Sequence, residues 1–454
     1  VPTRQVVSIA ESVLLATRHL VPFQLRLRRR AALALVLLAA VAGLGAWLSV
    51  RDVMQTVGRD AAPSIIAAQD IRTALADAHT QIVNVLLAGE SDSGPSALAF
   101  RQSIAQANDH LVSAAQNITY GEEERLPILA TMGHLAEYQR LIGRTLAQRG
   151  DPAALLQADA LMRERILPQA RQLDQTNEKH LNQAYADERR LARGWTYLFV
   201  ATTGLLALLL LETQFFLARR FRRRLSPVLL AGLLAMLTAA GGFLSCGAEI
   251  GHQMKVAKED AFDSVYLLAQ SKAWAYLANA QQSIYLLLPP GRDKVAQQAL
   301  FAASAARLFH GEPPADARAF DAKPDRFRDK GLLGEEMASI DFDGEASSAA
   351  AALRAWGEYL RIAARARGLE DAGRHSQALA LSLGGQPRRA DWAFDNFIES
   401  LDHTRAINQQ AFDGALGGAR QVLERMWKWL AAALLAPLLA MAFGLRSGDG
   451  PPSA

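Results

Sequence analysis

Four long apolar runs interrupt a chain whose other stretches are polar or amphipathic. They span residues 31–50, 195–217, 228–248 and 427–445. A bilayer core about 30 Å thick takes roughly 20 apolar residues of helix, so each run is long enough to cross one. The first and third runs hold no Asp, Glu, Lys or Arg. The second holds only Glu212, near one end, and the fourth only Lys428, at an interface. After the first run, Ile65, Ile66, Ile71, Leu75, Ile82, Val85 and Leu86 recur at helical rather than alternating spacing. Gly and Pro breaks at 89–95, 120–121 and 150–152 then mark off helices near 96–115, 123–148 and 153–193, the last with a bend at Pro168. The plan repeats after the third run. An opening helix over 251–288 stops at Pro289-Pro290-Gly291, and further helices fall near 294–309, 346–367, 372–381 and 390–425, with a loop-rich stretch over 311–344.

This pattern predicts an all-α membrane protein with four transmembrane helices and two tandem four-helix-bundle-like domains, with little or no strand. The expected segments are 1–30 (a lead-in), 31–50 (first span), 51–194 (first bundle), 195–217 (second span), 218–227 (a basic turn), 228–248 (third span), 249–426 (second bundle), 427–445 (fourth span) and 446–454 (a tail). The first run lacks a convincing cleavage region and leads straight into a helical domain, so it is expected to be a span, not a cleaved leader.

Charge sets the expected orientation. Arg26, Arg28, Arg29 and Arg30 precede the first span, Arg219, Arg220, Arg222, Arg223 and Arg224 fill the central turn, and Arg446 follows the fourth span. Short cytoplasmic segments collect Lys and Arg, so both chain ends and the turn are expected in the cytoplasm. Both bundles are then extracytoplasmic. The net charge of +4 comes from these anchors and points to the lipid bilayer as partner, not to nucleic acid. Trp47, Trp195, Tyr197, Trp427 and Trp429 lie near span ends, where such rings anchor at the interface. Cys246 is the only cysteine, so an intrachain disulfide is excluded. Residues 6–23 read either as an amphipathic helix lying on the membrane or a partner, or as a simple lead-in.

The two halves look duplicated. Leu75-Ala-Asp-Ala78 matches Leu277-Ala-Asn-Ala280, and Leu173-Asp-Gln-Thr176 echoes Leu401-Asp-His-Thr404. Polar residues on the first helix of each bundle stand among apolar ones. Asp70, Asp77 and Asn84 follow at intervals of seven and share a face. With Asp174, Asn279 and Asp402 they are the candidate ligand-binding or partner-binding positions. The same line is open to two other readings, a solvated face or a buried hydrogen-bonded seam that sets register. The five arginines 219, 220, 222, 223 and 224 are the candidate cytoplasmic relay.

No enzyme site emerges. His79 and His110 are isolated on different helices, and His134, His180, His375 and His403 lack metal-motif spacing, so no metal and no cofactor is expected. No phosphate-binding glycine pattern or nucleophile elbow is present. The spans lack paired internal charges, which weakens an ion pathway.

The paired spans bracketing helical bundles resemble the sensing modules of chemotaxis receptors and sensor kinases. The run 67–89, AAQDIRTALADAHTQIVNVLLAG, resembles more particularly the opening helix of actinobacterial-type four-span signalling proteins with tandem extracytoplasmic bundles. Asp70, Leu75, Asp77 and the Leu87-Ala88-Gly89 stop carry the likeness, whereas Asn279 stands in the second half where the first has Asp77. The likeness implies a place in a bacterial inner membrane and a link between a periplasmic amino-acid-binding lipoprotein and a cytoplasmic serine/threonine kinase. The expected function is therefore a non-enzymatic transmembrane sensor or adaptor. It would relay the state of an extracytoplasmic solute or solute-binding protein to a separate cytoplasmic signalling protein, because 1–30, 218–227 and 446–454 are too short for a catalytic domain. A homodimer is a further expected partner state. A structural or assembly membrane protein without a ligand switch, and an accessory component of a transporter, are the alternatives.

Overall fold

The computed structural model describes residues 3–119, 121–148, 152–221, 226–311, 313 and 324–444, excepting the side chains of 3–22, 60, 61, 220, 221, 324, 325 and 444. Among the described residues every regular element is helical. The chain runs α1 (Thr3–Gln55), α2 (Ala62–Ala88), α3 (Pro95–Gln116), α4 (Glu122–Ala147), α5 (Pro152–Leu161) and α6 (Leu167–Phe221). It continues as α7 (Pro227–Lys255), α8 (Asp263–Leu287), α9 (Arg292–Leu308), α10 (Leu332–Ala338), α11 (Glu345–Asp371), α12 (His375–Ser382) and α13 (Ala390–Gly444).

Three short π-helical segments interrupt this order, at Thr56–Ala61, Met162–Ile166 and Val256–Phe262. Two are followed within two residues by proline, Pro63 and Pro168. Proline has no N–H, and its ring clashes with the carbonyl four residues back, so a wider turn ahead of it relieves the conflict. The bend expected at Pro168 is thus a widened turn, in which the Leu167 N–H donates to the Met162 carbonyl.

The helices gather into two compact units. The span unit comprises the described parts of Val1–Gln55, Ala184–Gln253 and Gly417–Ala454, and the head unit comprises those of Thr56–Gln183 and Met254–Leu416. Four helices are long and apolar enough to cross a membrane, so this is a multi-pass all-α membrane protein. In the span unit Ala32, Val36, Leu206, Leu210, Leu233, Met236 and Met441 form the core. Leu37, Leu208, Leu234 and Leu439 point outward, as lipid-facing residues do. Small residues let the helices approach. A Cβ on Gly45 would lie 2.5 Å from Trp195 Cδ2, and one on Gly242 would lie 2.4 Å from Trp429 Cδ2. The same glycine-under-tryptophan contact therefore occurs in both span pairs. Trp195 and Trp429, expected only as interface anchors, also cover helix crossings. Arg28 donates through Nε and Nη2 to both Glu212 carboxylate oxygens, at 3.1 and 2.8 Å.

In the head unit, the first half packs α2 to α5 and the start of α6 around Ile71, Leu75, Ile82, Ile128, Leu135 and Tyr138. The second half packs α8 to α11 and the start of α13 around a ring-rich core, with Trp356 and Tyr359 stacked at 5.1 Å, while α12 packs through Ala378 near Tyr285 and Leu286. The sequence suggested two tandem bundles; in the structure both halves belong to one compact unit. Helices α2 and α8 lie side by side as its central pair. Their alanines explain this. Ala74, Ala76 and Ala78 on α2, and Ala273, Ala275, Ala278 and Ala280 on α8, are buried on several faces, so neither helix has a free side. Mixed apolar clusters, such as Val83 and Leu155 with Ile284 and Leu288, close the join. The loop-rich stretch 311–344 contributes a 3-10 turn, Pro324–Phe327, and α10.

Candidate functional site

The polar residues of α2 are not a solvated line. Where α2 meets α8, Thr80 Oγ1 donates to the Tyr276 carbonyl at 2.7 Å, and Ser283 Oγ donates to Asn84 Oδ1 at 3.0 Å. Arg405 Nη2 on α13 donates to Asp70 Oδ1 at 3.1 Å. Asp70, Asn84 and Asp174 therefore stand at the seam between the halves. The other candidates bond within their own half. Asp77 accepts from Ser103 Oγ at 2.6 Å and Gln81 Nε2 at 3.0 Å, and Asn279 Oδ1 accepts from Tyr359 Oη at 2.9 Å. Lys272 Nζ reaches both oxygens of the half-exposed Asp402 at 2.7 Å. Burial pushes the Asp77 carboxyl above its ordinary value, against the Ser103 and Gln81 hydrogen bonds. Arg219 is exposed; Arg222, Arg223, Arg224 and the Arg220 side chain lie outside the described residues.

Asp174, on α6, is the most perturbed of the seam carboxyls. It is fully buried. Its Oδ2 accepts from Gln69 Nε2 at 2.5 Å, Tyr266 Oη at 3.3 Å and Arg72 Nη1 at 3.4 Å. Burial raises its pKa to about 7, outweighing Arg72, Gln69 and Tyr266. Tyr266, from α8, also donates to Glu178 Oε2 at 2.9 Å, so this cluster spans both halves.

A second buried cluster lies nearby in the first half. His79 Nδ1 is 3.0 Å from Tyr138 Oη, and its Nε2 is 3.2 Å from Asp159 Oδ1. Arg163 Nε donates to Asp159 Oδ2 at 3.0 Å, and Gln297 Nε2, from α9 of the other half, donates to the same oxygen at 3.1 Å. His79, Tyr138 and Asp159 are wholly buried. Burial alone would raise the Asp159 carboxyl, but the His79 hydrogen bond and charge, with Arg163 and Gln297, hold it below the ordinary value. His79 is therefore not isolated, which corrects the sequence expectation. A helical spacing of three and seven in the polar residues Gln69, Arg72 and His79 was the available signal. For Asp159 the available signal was its place as the single acid in the apolar helix α5.

Neither cluster presents a nucleophile paired with a base, and among the described residues no group of three His, Cys, Asp or Glu could hold a metal ion. The chemistry this arrangement supports is registration: buried polar bonds that hold two halves in one alignment and are costly to break singly.

Residues 53–186 match the family described as the actinobacterial sensor domain. That stretch is, within a few residues, the first half of the head unit. No curated protein and no solved structure matches the chain. A sensor-type module carried on a multi-pass helical membrane protein supports a general role in sensing and signalling.

Proposed function

We propose that this protein is a non-enzymatic transmembrane sensor whose head unit faces outward and whose span unit carries the sensed state to a separate cytoplasmic signalling protein, a protein kinase among the candidates. The observation that carries the reading is the sensor-domain match over 53–186, because the matched half contains the buried Asp174 and Asp159 clusters and shares both with the other half. The basic segments flanking the spans support the orientation. The physical device is the seam. Its cross-half bonds are few, polar and directional, so a small shift of α2 against α8 exchanges one bonded set for another instead of deforming continuously. Helices α6, α7 and α13 extend in sequence from head residues into span residues, which gives a shift a covalent path. The matching motifs of the halves, with the repeated glycine–tryptophan contact, favour an internal duplication as the origin of the plan.

Cysteines placed at Ala32 and Met441, which line one groove of the span unit, test the reading in a Cys246→Ala background. Their cross-linking rate is measured in cells supplied with different external solutes, together with the cytoplasmic proteins captured on the full chain. A solute-dependent rate with a matching change in captured partners supports the sensor. Constant rates and constant partners across all solutes overturn it in favour of a static assembly role.

A further inference from the structure

Between the two buried clusters lies a cleft of about 100 Å³, lined by Arg72, Arg163, Leu167, Pro168, Arg171, Ala273, Trp274 and Leu277. Its charged lining is three guanidinium groups and no carboxylate. One side comes from the first half, and Ala273, Trp274 and Leu277 of α8 form the other. The widened turn before Pro168 places Arg163 in this wall, and Leu167, Pro168 and Arg171 follow on the same face of α6. Arg307 lies over the Trp274 ring, 4.8 Å from its centroid, and fixes that aromatic wall.

The three arginines are not equally satisfied. Arg163 is held by Asp159, and Arg72 reaches Asp174 only at 3.4 Å. Half-buried Arg171 has no hydrogen-bond or ion-pair partner among the described residues. Gathering like charges in a partly dry wall is unfavourable without a counter-charge. Burial lowers the Arg72 pKa against the pull of Asp174, and the neighbouring Arg171 charge lowers it further. Asp174 Oδ1 and Gln69 Oε1, behind Arg72, are buried without partners, so this corner is incompletely satisfied.

We infer that the cleft is the binding site for a small organic carboxylate, whose anionic end is received by Arg171 with Arg72 and Arg163 and whose short apolar body lies against Trp274, Leu167 and Leu277. A guanidinium offers two parallel N–H groups to a carboxylate, which suits this anion better than a point charge does. The apolar remainder of the lining gives no purchase to a bare inorganic anion. The inference names the ligand class of the sensor reading and rests on it for its signalling meaning. Occupancy would compete with Asp174 for Arg72 and with Asp159 for Arg163, and those carboxylates also hold Tyr266 and Gln297 of the other half. A ligand in the cleft thereby acts directly on the seam.

The test is titration calorimetry on the purified full chain in detergent, using benzoate and hexanoate as probes, sulfate as inorganic anion and benzylammonium as cationic isostere. Benzoate and hexanoate are expected to bind, benzylammonium not to bind, and sulfate to bind at least ~10-fold more weakly. Arg171→Gln should weaken benzoate by ~10-fold or more, the scale of one lost charge-assisted pair. It should leave the ligand-free melting temperature unchanged or slightly raised, since it removes no internal bond and relieves the like-charge crowding around Arg72. Arg171→Lys should recover part of the affinity. No carboxylate binding up to ~10 mM, a free energy near −3 kcal/mol, would overturn the site, as would equal affinity for sulfate or an unaffected Arg171→Gln. These outcomes separate from the parent reading. Binding with constant span cross-links defeats the sensor and keeps the site; solute-dependent cross-links without carboxylate binding do the reverse.

Discussion

Replacing Asp159 by alanine tests whether the two halves of the head unit are held by buried polar bonds. The carboxylate is 0 % exposed and serves three donors, His79, Arg163 and Gln297. Its removal leaves a buried imidazole and a buried amide without an acceptor, and a guanidinium that is only 18 % exposed. Breaking a buried pair by deleting one member costs about 3–5 kcal/mol. Arg163 can turn partly to water and to Glu164, 3.6 Å away, which places the loss near the lower end, about 3 kcal/mol. At roughly 2 °C per kcal/mol for a unit of this size, the head should melt about 6 °C lower. Gln297→Ala removes one of the three bonds and should cost about 1–2 kcal/mol. The assay is thermal and denaturant unfolding of the detergent-solubilised chain, run as a double-mutant cycle. Asp159 and Gln297 come from opposite halves and touch, so their losses should fall short of additivity by about 1 kcal/mol. Strict additivity, or an Asp159→Ala melting point within about 1 °C of the parent, would refute the claim that this bond joins the halves.

Three further outcomes are expected. The Asp174 pKa is raised from an ordinary 3.8 to about 7 in the fold, so the folded state binds a proton that the unfolded chain has released; stability contributed at this site therefore falls as pH rises from about 4 to 7, and Asp174→Asn should flatten that slope in melting curves. In the span unit, Gly45→Ala and Gly242→Ala should each lower thermostability in detergent by about 1–3 kcal/mol, because a tryptophan ring occupies the Cβ position, whereas Gly241→Ala, with open space around it, should not. In a Cys246→Ala background, Ser93→Cys should react with an impermeant maleimide on intact cells and Ser226→Cys only after permeabilisation; the opposite pattern inverts the proposed orientation.

The helical class and the spans were legible because each rests on one long periodicity. The breaks were legible where glycine or proline stands, as at Gly89 and Pro95, and helix ends agree to within a few residues. The seam was only partly legible. Asp70, Asn84 and Asp174 were marked by polar spacing, but spacing cannot say which partner lies opposite. Their partners Tyr266, Ser283 and Arg405 lie 92 to 335 positions away. His79 reads as isolated in the sequence because its partners, Tyr138 and Asp159, come from two other helices. The union of the halves was hidden for a similar reason. Alanine marks a close helix contact without saying whose: Ala74 and Ala78 of α2 sit in the core of the first half and Ala275 and Ala278 of α8 in that of the second, so the pattern does not point to the join.

A widened turn adds one residue to the helical count, and one residue is about 100° of azimuth. The heptad phase of the first span therefore does not carry through Thr56–Ala61, nor that of the third through Val256–Phe262. Any chimera that grafts these spans onto a foreign receptor must keep or delete each bulge whole. A graft that drops or adds one residue there would turn the transplanted face by about 100°.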